Sequence, residues 1–200
     1  MATKKFPSEL TARGTVLTTD KLLIHNITTG ETCYTTVAEL LAALSIFAAG
    51  QIGFPATQVP SANVNTLDDY QEGTWTPSIT FGGAASGITY GANNAGAYTK
   101  IGNIVTISGY FELTSKGVST GDAIIGGLPF IVENQIRSRS AVSLYLLNIS
   151  FADFPMAYTV INTQTIELSE ITNAGVKTSL VDTNFANNSV IILNSTYRVE

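Results

Sequence analysis

One cysteine, Cys33, and one histidine, His25, are all the chain has of either residue in 200 positions. A lone cysteine excludes an intrachain disulfide and a cysteine-built zinc cluster, and a lone histidine excludes a histidine-rich metal site within one chain. Charge is scarce as well: 12% of residues are Asp, Glu, Lys or Arg, against 44% that are hydrophobic. That balance excludes intrinsic disorder of the whole chain, which needs high charge and low hydrophobicity. Positive charge is the scarcer sign, with 10 Lys and Arg against 15 Asp and Glu and a net charge of −5. Such a field is wrong for a nucleic-acid partner. The most apolar stretch, 37–49, is too short to cross a bilayer and contains Glu39, so no membrane insertion is expected. Lys4 and Lys5 have no apolar segment behind them, so no secretory signal is expected, and the chain reads as soluble and made in a cytoplasm. No repeat of fixed period appears, which argues against a long β-helix or solenoid.

The polar part is mostly Thr, Ser, Asn and Gly, residues that favour strands and turns. A globule of this length buries roughly 70% of its unfolded surface, so it folds without disulfides. Its apolar, weakly charged surface has to be hidden somewhere, and a subunit interface is one place. One match to a nucleophile elbow exists, Gly117-Val118-Ser119-Thr120-Gly121. No helix pattern follows it, and His25 precedes the serine, against hydrolase chain order, so it reads as a glycine-rich loop.

Three regions follow from the patterning: an N-terminal unit at 1–50, a connector at 51–73 and a β-domain at 74–200. In the first, Thr15 to Thr19 and Lys21 to Ile27 read as strands, Thr28-Thr29-Gly30-Glu31 as a hairpin turn, and Thr32 to Thr35 as the return strand. The period then changes. Val37, Leu40, Leu41, Leu44, Phe47 and Ala48 recur at helical spacing, Thr36 and Glu39 form a capping box, and Gly50 suits a C-terminal cap, so a helix is predicted over 37–49. The connector carries Phe54-Pro55 and Val59-Pro60-Ser61, which oppose both helix and central strand.

Beyond it, strands are predicted at Thr74 to Phe81 with Pro77 at an edge position, Ile88 to Tyr90, Ala97 to Ile101, Ile104 to Leu113, Asp122 to Gly126, Arg137 to Ser150, Ala157 to Ile161, Thr165 to Leu168 and Ser189 to Val199. Along Ile104 to Leu113 the alternation is plain: Val105, Ile107, Phe111 and Leu113 share one face, and Thr106, Ser108, Tyr110 and Glu112 the other. The fold class is therefore mainly β: an antiparallel, jelly-roll-like β-sandwich behind a small strand-hairpin-helix unit.

Some of these residues are specific enough to resemble a known family. The run Asn65-Thr66-Leu67-Asp68-Asp69-Tyr70-Gln71-Glu72-Gly73-Thr74-Trp75-Thr76-Pro77, preceded by Phe54-Pro55-Ala56-Thr57-Gln58, resembles a module of bacteriophage tail-fibre and related virion proteins in which "LDDYEEGTWTP" opens a β-domain. The later "YTKIGN" and "GLPF" of that module are here Tyr98-Thr99-Lys100-Ile101-Gly102-Asn103 and Gly127-Leu128-Pro129-Phe130, in the same order. The departure in the first motif is Gln71 in place of glutamate. More loosely, Asp20 to Ile24 and Thr36 to Leu41 are similar to the "D-x-L-L-I" strand and "T-x-x-E-L-L" helix that begin many phage fibre proteins. The resemblance implies a homotrimeric virion protein, assembled in the host cytoplasm. Its N-terminal unit would attach to another virion protein, and its β-domain would bind host cell-surface polysaccharide.

Each candidate feature has a plainer reading beside it. The stripe Val37, Leu40, Leu41, Leu44 is either a trimer seam or the inner face of a helix packed on its own hairpin. The acidic run Asp68 to Glu72 has the oxygens for a cation but lacks EF-hand spacing, and reads better as a turn. Trp75 offers a ring for sugar stacking, but core is the better reading for a strand tryptophan. The glycan candidates lie past position 130. Tyr145, Phe151, Phe154 and Tyr158 surround a predicted loop at Asp153-Phe154-Pro155, and Asn184, Asn187 and Asn188 lie in a second predicted loop. Asp and Asn pair with sugar hydroxyls and tyrosine stacks, although turn chemistry and core packing explain any one of these positions equally well. Arg137 and Arg139 alternate on a predicted strand and so share a face, suited to an acidic polysaccharide or, preferably, to intersubunit ion pairs. If His25 and Cys33 face each other across the first predicted hairpin, a metal site there still needs carboxylates or threefold symmetry, and a satisfied structural histidine is the better reading.

No cofactor and no metal are expected. The leading functional expectation is a non-enzymatic fibre or spike protein that binds a host glycan. The alternative is a structural head fibre, decoration or adaptor protein without a receptor. A capsule depolymerase ranks below both, because Glu133, Asp153, Glu167, Glu170, Asp182 and Glu200 fall in no telling motif for a pair of catalytic carboxylates.

Overall fold

A computed structural model describes residues 69–200 without interruption, together with 21–25, 32–36, 47–48, 51–54 and the positions 57, 61, 63 and 66–67. The chain divides into two compact units, Met1–Ala56 and Thr57–Glu200.

In the first unit β1 (Lys21–His25) and β2 (Thr32–Thr36) pair antiparallel. This is the expected hairpin. Its register sets His25 opposite Thr32 and Cys33 opposite Ile24, so the two unique residues are not a cross-strand pair. The predicted helix lies largely outside the described residues, and with it Val37, Leu40, Leu41 and Leu44. Two of its last three positions depart from the prediction: β3 (Phe47–Ala48) pairs antiparallel with β4 (Gln51–Ile52).

The second unit holds eleven strands among the described residues. They are β5 (Tyr70–Trp75), β6 (Ser78–Phe81), β7 (Ile88–Tyr90), β8 (Ala95–Ile101), β9 (Ile104–Lys116), β10 (Ala123–Gly126), β11 (Ser143–Ile149), β12 (Phe154–Thr159), β13 (Ile166–Ile171), β14 (Lys177–Ser179) and β15 (Phe185–Arg198). One antiparallel sheet has the order β11-β15-β9-β8-β5, with β7 on the far end of β9. The other has the order β12-β13-β10-β6, with β14 beside β13. The fold is a β-sandwich. Its interior is built by the period-two alternation of both sheets. From the first come Val105, Ile107, Phe111 and Leu113 of β9 and Ile191, Leu193 and Tyr197 of β15; from the second come Ile79, Phe81, Ile125, Ile166 and Leu168. All are essentially inaccessible.

Several boundaries differ from the sequence reading, each for a physical reason. The predicted strand Thr74 to Phe81 is two strands in two sheets. Pro77 has no amide for a ladder, and the chain turns the corner there from β5 to β6. β5 begins at Tyr70, inside the acidic run, rather than at 74: Tyr70 to Glu72 pair with Ile101 to Thr99 instead of forming a turn. Arg137 and Arg139 do not alternate on a strand. Residues Ile136–Ser138 form a single 3-10 turn, and β11 starts only at Ser143. Phe154 and Pro155 belong to β12 rather than to a loop, and Asn187 and Asn188 belong to β15. Phe154 and Pro155 are carried by their pairing with Ile171 and Glu170 of β13, whereas Asn187 and Asn188 lie where β15 slips in register against β11.

At the opposite corner, the segment just before β11 leans on β12. Val142 donates its amide to the Ala157 carbonyl (3.0 Å), and Thr159 donates to Ser140 (2.9 Å). The two sheets are thereby stitched along that side. The free edge of β6 is covered differently. The hydroxyl of Tyr90 accepts from the Ile79 amide at 2.8 Å, which satisfies a buried edge donor.

Candidate functional site

The motif residues meet at one place. On β8 the alternation turns Lys100 inward, where it is 5% exposed. It is tolerated because Asp69, just before β5, forms a buried ion pair with it. The backbone fixes that approach, since the Gly102 amide donates to the Asp69 carbonyl at 2.9 Å. The Lys100 ammonium also lies 5.6 Å from the Phe130 ring centre, and Phe130 meets Tyr98 edge-on at 5.2 Å. Tyr98 in turn crosses β5 at Gly73, where a Cβ would stand 2.5 Å from its hydroxyl oxygen. Trp75 lies against Gly96 and Gly109, and its indole N–H donates to the Ser108 carbonyl at 2.9 Å. So the three segments "LDDYQEGTWTP", "YTKIGN" and "GLPF" pack on one another, and Trp75 is core. They build this part of the sandwich.

A second cluster lies on the outer face of the other sheet. Alternation on β12 turns Phe154, Met156 and Tyr158 outward, and their cross-strand partners on β13 are Ile171, Ser169 and Glu167. Phe154 is 61% exposed. Tyr158 donates its hydroxyl hydrogen to Glu167 and accepts from Lys177 Nζ at 3.0 Å. Lys177 also pairs with Glu167 directly. Arg139, arriving from the loop before β11, places its guanidinium 5.3 Å from the Tyr158 ring centre, and Lys177 Nζ lies 5.0 Å from it. Partial burial pushes the Glu167 carboxyl up, but hydrogen bonds from Lys177 and Tyr158, with the Lys177 and Arg139 charges, outweigh it and hold the group below its ordinary value. The bond to Glu167, followed by that to Tyr158, raises Lys177. Beside this cluster is a cavity of about 200 Å³, walled by Met156, Ala157 and Ile171 as well as the charged residues. It brings together an aromatic ring, apolar walls and two cations.

The asparagine candidates lie elsewhere. Where β11 and β15 slip in register, the single residue between Leu147 and Ile149 faces the stretch 186–189 of β15. Asn148 takes a left-handed conformation there (φ 56°). The bulge opens a shallow depression of about 460 Å³ lined by Asn148, Asn184 and Asn188. Much of its polarity is already engaged. Asn184 donates to the Ser150 carbonyl and accepts from the Val181 amide, both at 2.7 Å. Asn187 accepts from the Lys116 amide at 2.9 Å and does not line the depression.

Of the remaining candidates, Tyr145 is 56% exposed on the outer face of the first sheet, opposite Ile192. Asp153 sits in the bend before β12, its amide donating to Glu170. Arg137 is bonded to Glu133 at 3.3 Å within its own chain. The structure thus unites Tyr158 with Arg139 and separates both from Tyr145, Asn184, Asn187, Asn188 and Arg137. Sequence reasoning missed Lys177 as part of this cluster, because only the pairing of β14 with β13 brings it to Tyr158. Among the described residues no group of three or more His, Cys, Asp and Glu side chains is placed to hold a metal ion, and no helix is long and apolar enough to cross a membrane.

No family model matches the sequence, and no curated protein matches it. Among solved structures, the chain is similar to the crystal structure of Dettilon tailspike protein (gp208), with a TM-score of 0.54 and 18% identity. The similarity covers 64% of this chain and 24% of that one, so the chain spans about a quarter of that protein's length. What the two share is a fold.

Proposed function

We propose that this chain is a fibre- or spike-type component of a bacteriophage particle. In this reading it is a homotrimer, its N-terminal unit attaches to another virion protein, and its β-domain binds host surface polysaccharide without cleaving it. The observation that carries the reading is the meeting of Asp69, Lys100, Tyr98 and Phe130 at one corner of a sandwich whose fold a tailspike protein shares. The residues that resemble phage motifs pack on one another within this fold.

Self-association is supported by the outer face of the β11-β15-β9 sheet. Cross-strand register lines up Tyr145, Ile192 and Tyr110 there, with Leu147 alongside, and Tyr145, Leu147 and Ile192 are 56%, 46% and 39% exposed. A row of exposed apolar side chains on a sheet face is what a subunit contact covers. Trimerisation would make weak single-site binding sufficient, because three sites act together. The non-enzymatic part draws support from the engagement of three of the six candidate carboxylates. Glu133 bonds Ser138 and the Arg137 and Arg198 side chains, Glu167 bonds Lys177, and Glu170 takes the amides of Ala152 and Asp153.

The first test is the solution mass of the intact chain by light scattering. Three times 21.2 kDa is the expected result, and a monomer would remove the fibre reading. A reducing-end assay on bacterial polysaccharides should show no release of sugar. The structural alternative, a head fibre, decoration or adaptor protein, draws support from the occupied amides of Asn184 and Asn187. Binding of labelled protein to bacterial cells, competed by their polysaccharide, separates the two.

A further inference from the structure

We infer that the cavity beside Tyr158 recognises a carboxylate-bearing sugar, with Arg139 and Lys177 binding the acid group and the apolar wall receiving the ring. This deepens the proposed receptor role and rests on it. The charge balance is the first argument. The cluster contains two cations, Arg139 and Lys177, and one carboxylate, Glu167, on a chain whose net charge is −5. Glu167 is bonded by Lys177 and the Tyr158 hydroxyl, and Arg139 acts on it only through its charge at a distance, without an ion pair. Arg139 is exposed and forms no ion pair with a carboxylate among the described residues. Its side chain rests on the face of Tyr158, which orients a planar fork of donors without consuming them. Two of the three Lys177 donors go to Tyr158 and Glu167, which leaves one.

The walls are the second argument. Met156, Ala157 and Ile171 give the cavity an apolar lining next to those cations. An inorganic anion has no apolar surface to bury there, and a neutral sugar leaves the guanidinium without a counter-charge. A pyranose acid presents both a C–H face and a carboxylate. At about 200 Å³ the space is smaller than a typical drug-sized pocket and suits a single sugar ring. Tyr158 supplies a flat aromatic edge to the same space, and Phe154 and Met156 extend the apolar strip along β12 for a neighbouring sugar unit.

The test uses the intact chain and four probes: oligogalacturonate, α2,8-linked oligosialate, neutral maltohexaose and inorganic phosphate. At least one acidic oligosaccharide should bind, with affinity that falls as salt rises, and should exceed maltohexaose and phosphate by about tenfold or more. Arg139→Ala should weaken that binding by about tenfold, while Arg137→Ala, a change at an exposed arginine of the neighbouring turn, should leave it unchanged. Lys177→Met should weaken it independently, with folding checked by the near-UV signal of Trp75. Equal binding of maltohexaose overturns the inference, as does phosphate binding as tightly as the acidic sugars, or an Arg139→Ala variant that binds normally. So does failure of both acidic probes. If the chain is trimeric and binds bacterial polysaccharide regardless of Arg139, the receptor reading survives and this site does not.

Discussion

At the scale of single residues, stability is concentrated where the chain breaks ordinary rules. A lysine inside a sandwich is such a place. Lys100→Met leaves the Asp69 carboxylate buried without its partner, and loss of one member of a buried pair costs about 3–5 kcal/mol. The double variant Asp69→Asn/Lys100→Met should recover most of that loss in chemical denaturation, because a neutral pair carries a smaller desolvation cost. The glycines under Trp75 give a graded comparison. A Cβ at Gly96 would stand 2.2 Å from the indole nitrogen and 2.7 Å from the Ser108 carbonyl oxygen, which is backbone and cannot rotate away. At Gly109 the nearest atom is Trp75 Cζ2 at 2.9 Å, with the next at 3.4 Å. Gly96→Ala should therefore cost more than about 3 kcal/mol and red-shift the emission of the single tryptophan. Gly109→Ala should cost about 1–2 kcal/mol and shift it less.

Buried tyrosines set the alkaline limit. Burial pushes the hydroxyls of Tyr197 and Tyr90 above their ordinary value of 10.0, and hydrogen bonds to the backbone only partly offset it. A raised value in the folded state means that stability is intact below pH 10 and is lost as the pH rises beyond it. Each such group contributes a slope of up to about 1.4 kcal/mol per pH unit. Denaturation midpoints measured above pH 10 should fall, and Tyr197→Phe should flatten the slope despite losing the bond to the Phe130 carbonyl.

At the scale of elements, the edge strands decide what is exposed. β6 is paired on one side by β10 and guarded on the other by the Tyr90 hydroxyl, which accepts from Ile79. Tyr90→Phe removes that acceptor and leaves the amide of a fully buried residue unpaired, at a cost of about 1–3 kcal/mol. Hydrogen exchange at the Ile79 amide should accelerate while exchange in β9 and β15 keeps step with global stability. Element boundaries also explain which parts of the candidate site the sequence showed. Tyr158 and Arg139 were legible as an aromatic and a cation past position 130. Their meeting was not, because Arg139 reaches the ring through the stitching of 140–142 onto β12, a contact between segments about twenty residues apart. Lys177 needed a third segment, β14, to be placed beside β13. The asparagines looked like loop residues; a register slip of β15 against β11 holds Asn187 and Asn188 in a bulge instead, and Asn184 ends a 3-10 turn.

At the scale of the whole molecule, the two outer faces of the sandwich differ in kind. The β12-β13 face carries the Arg139, Lys177 and Glu167 charges around an aromatic. The β11-β15-β9 face carries the Tyr145, Ile192 and Tyr110 row. In the proposed trimer the second face is the subunit contact and the first remains open to ligand. Ile192→Glu places a charge in the middle of that row, on a position 39% exposed in the single chain, so folding should be nearly unaffected. Light scattering should show the mass falling to that of one chain, 21.2 kDa. A trimer that persists in the Ile192→Glu variant would move the contact elsewhere.

Local pattern was enough to reveal the class of the fold and the inward residues of its long strands. Alternation needs no partner to be seen, and Val105, Ile107, Phe111 and Leu113 show it along a single strand. Local pattern also revealed the role of Trp75 and the tight turn at Gly102, whose φ of 55° matches the Gly-Asn signal. Three features came only from the folded chain: the burial of Lys100, the passage between two sheets at Pro77, and the meeting of Arg139 and Lys177 at one ring. Each depends on pairing between segments distant in the chain, where burial and cross-strand contacts outweigh local propensity.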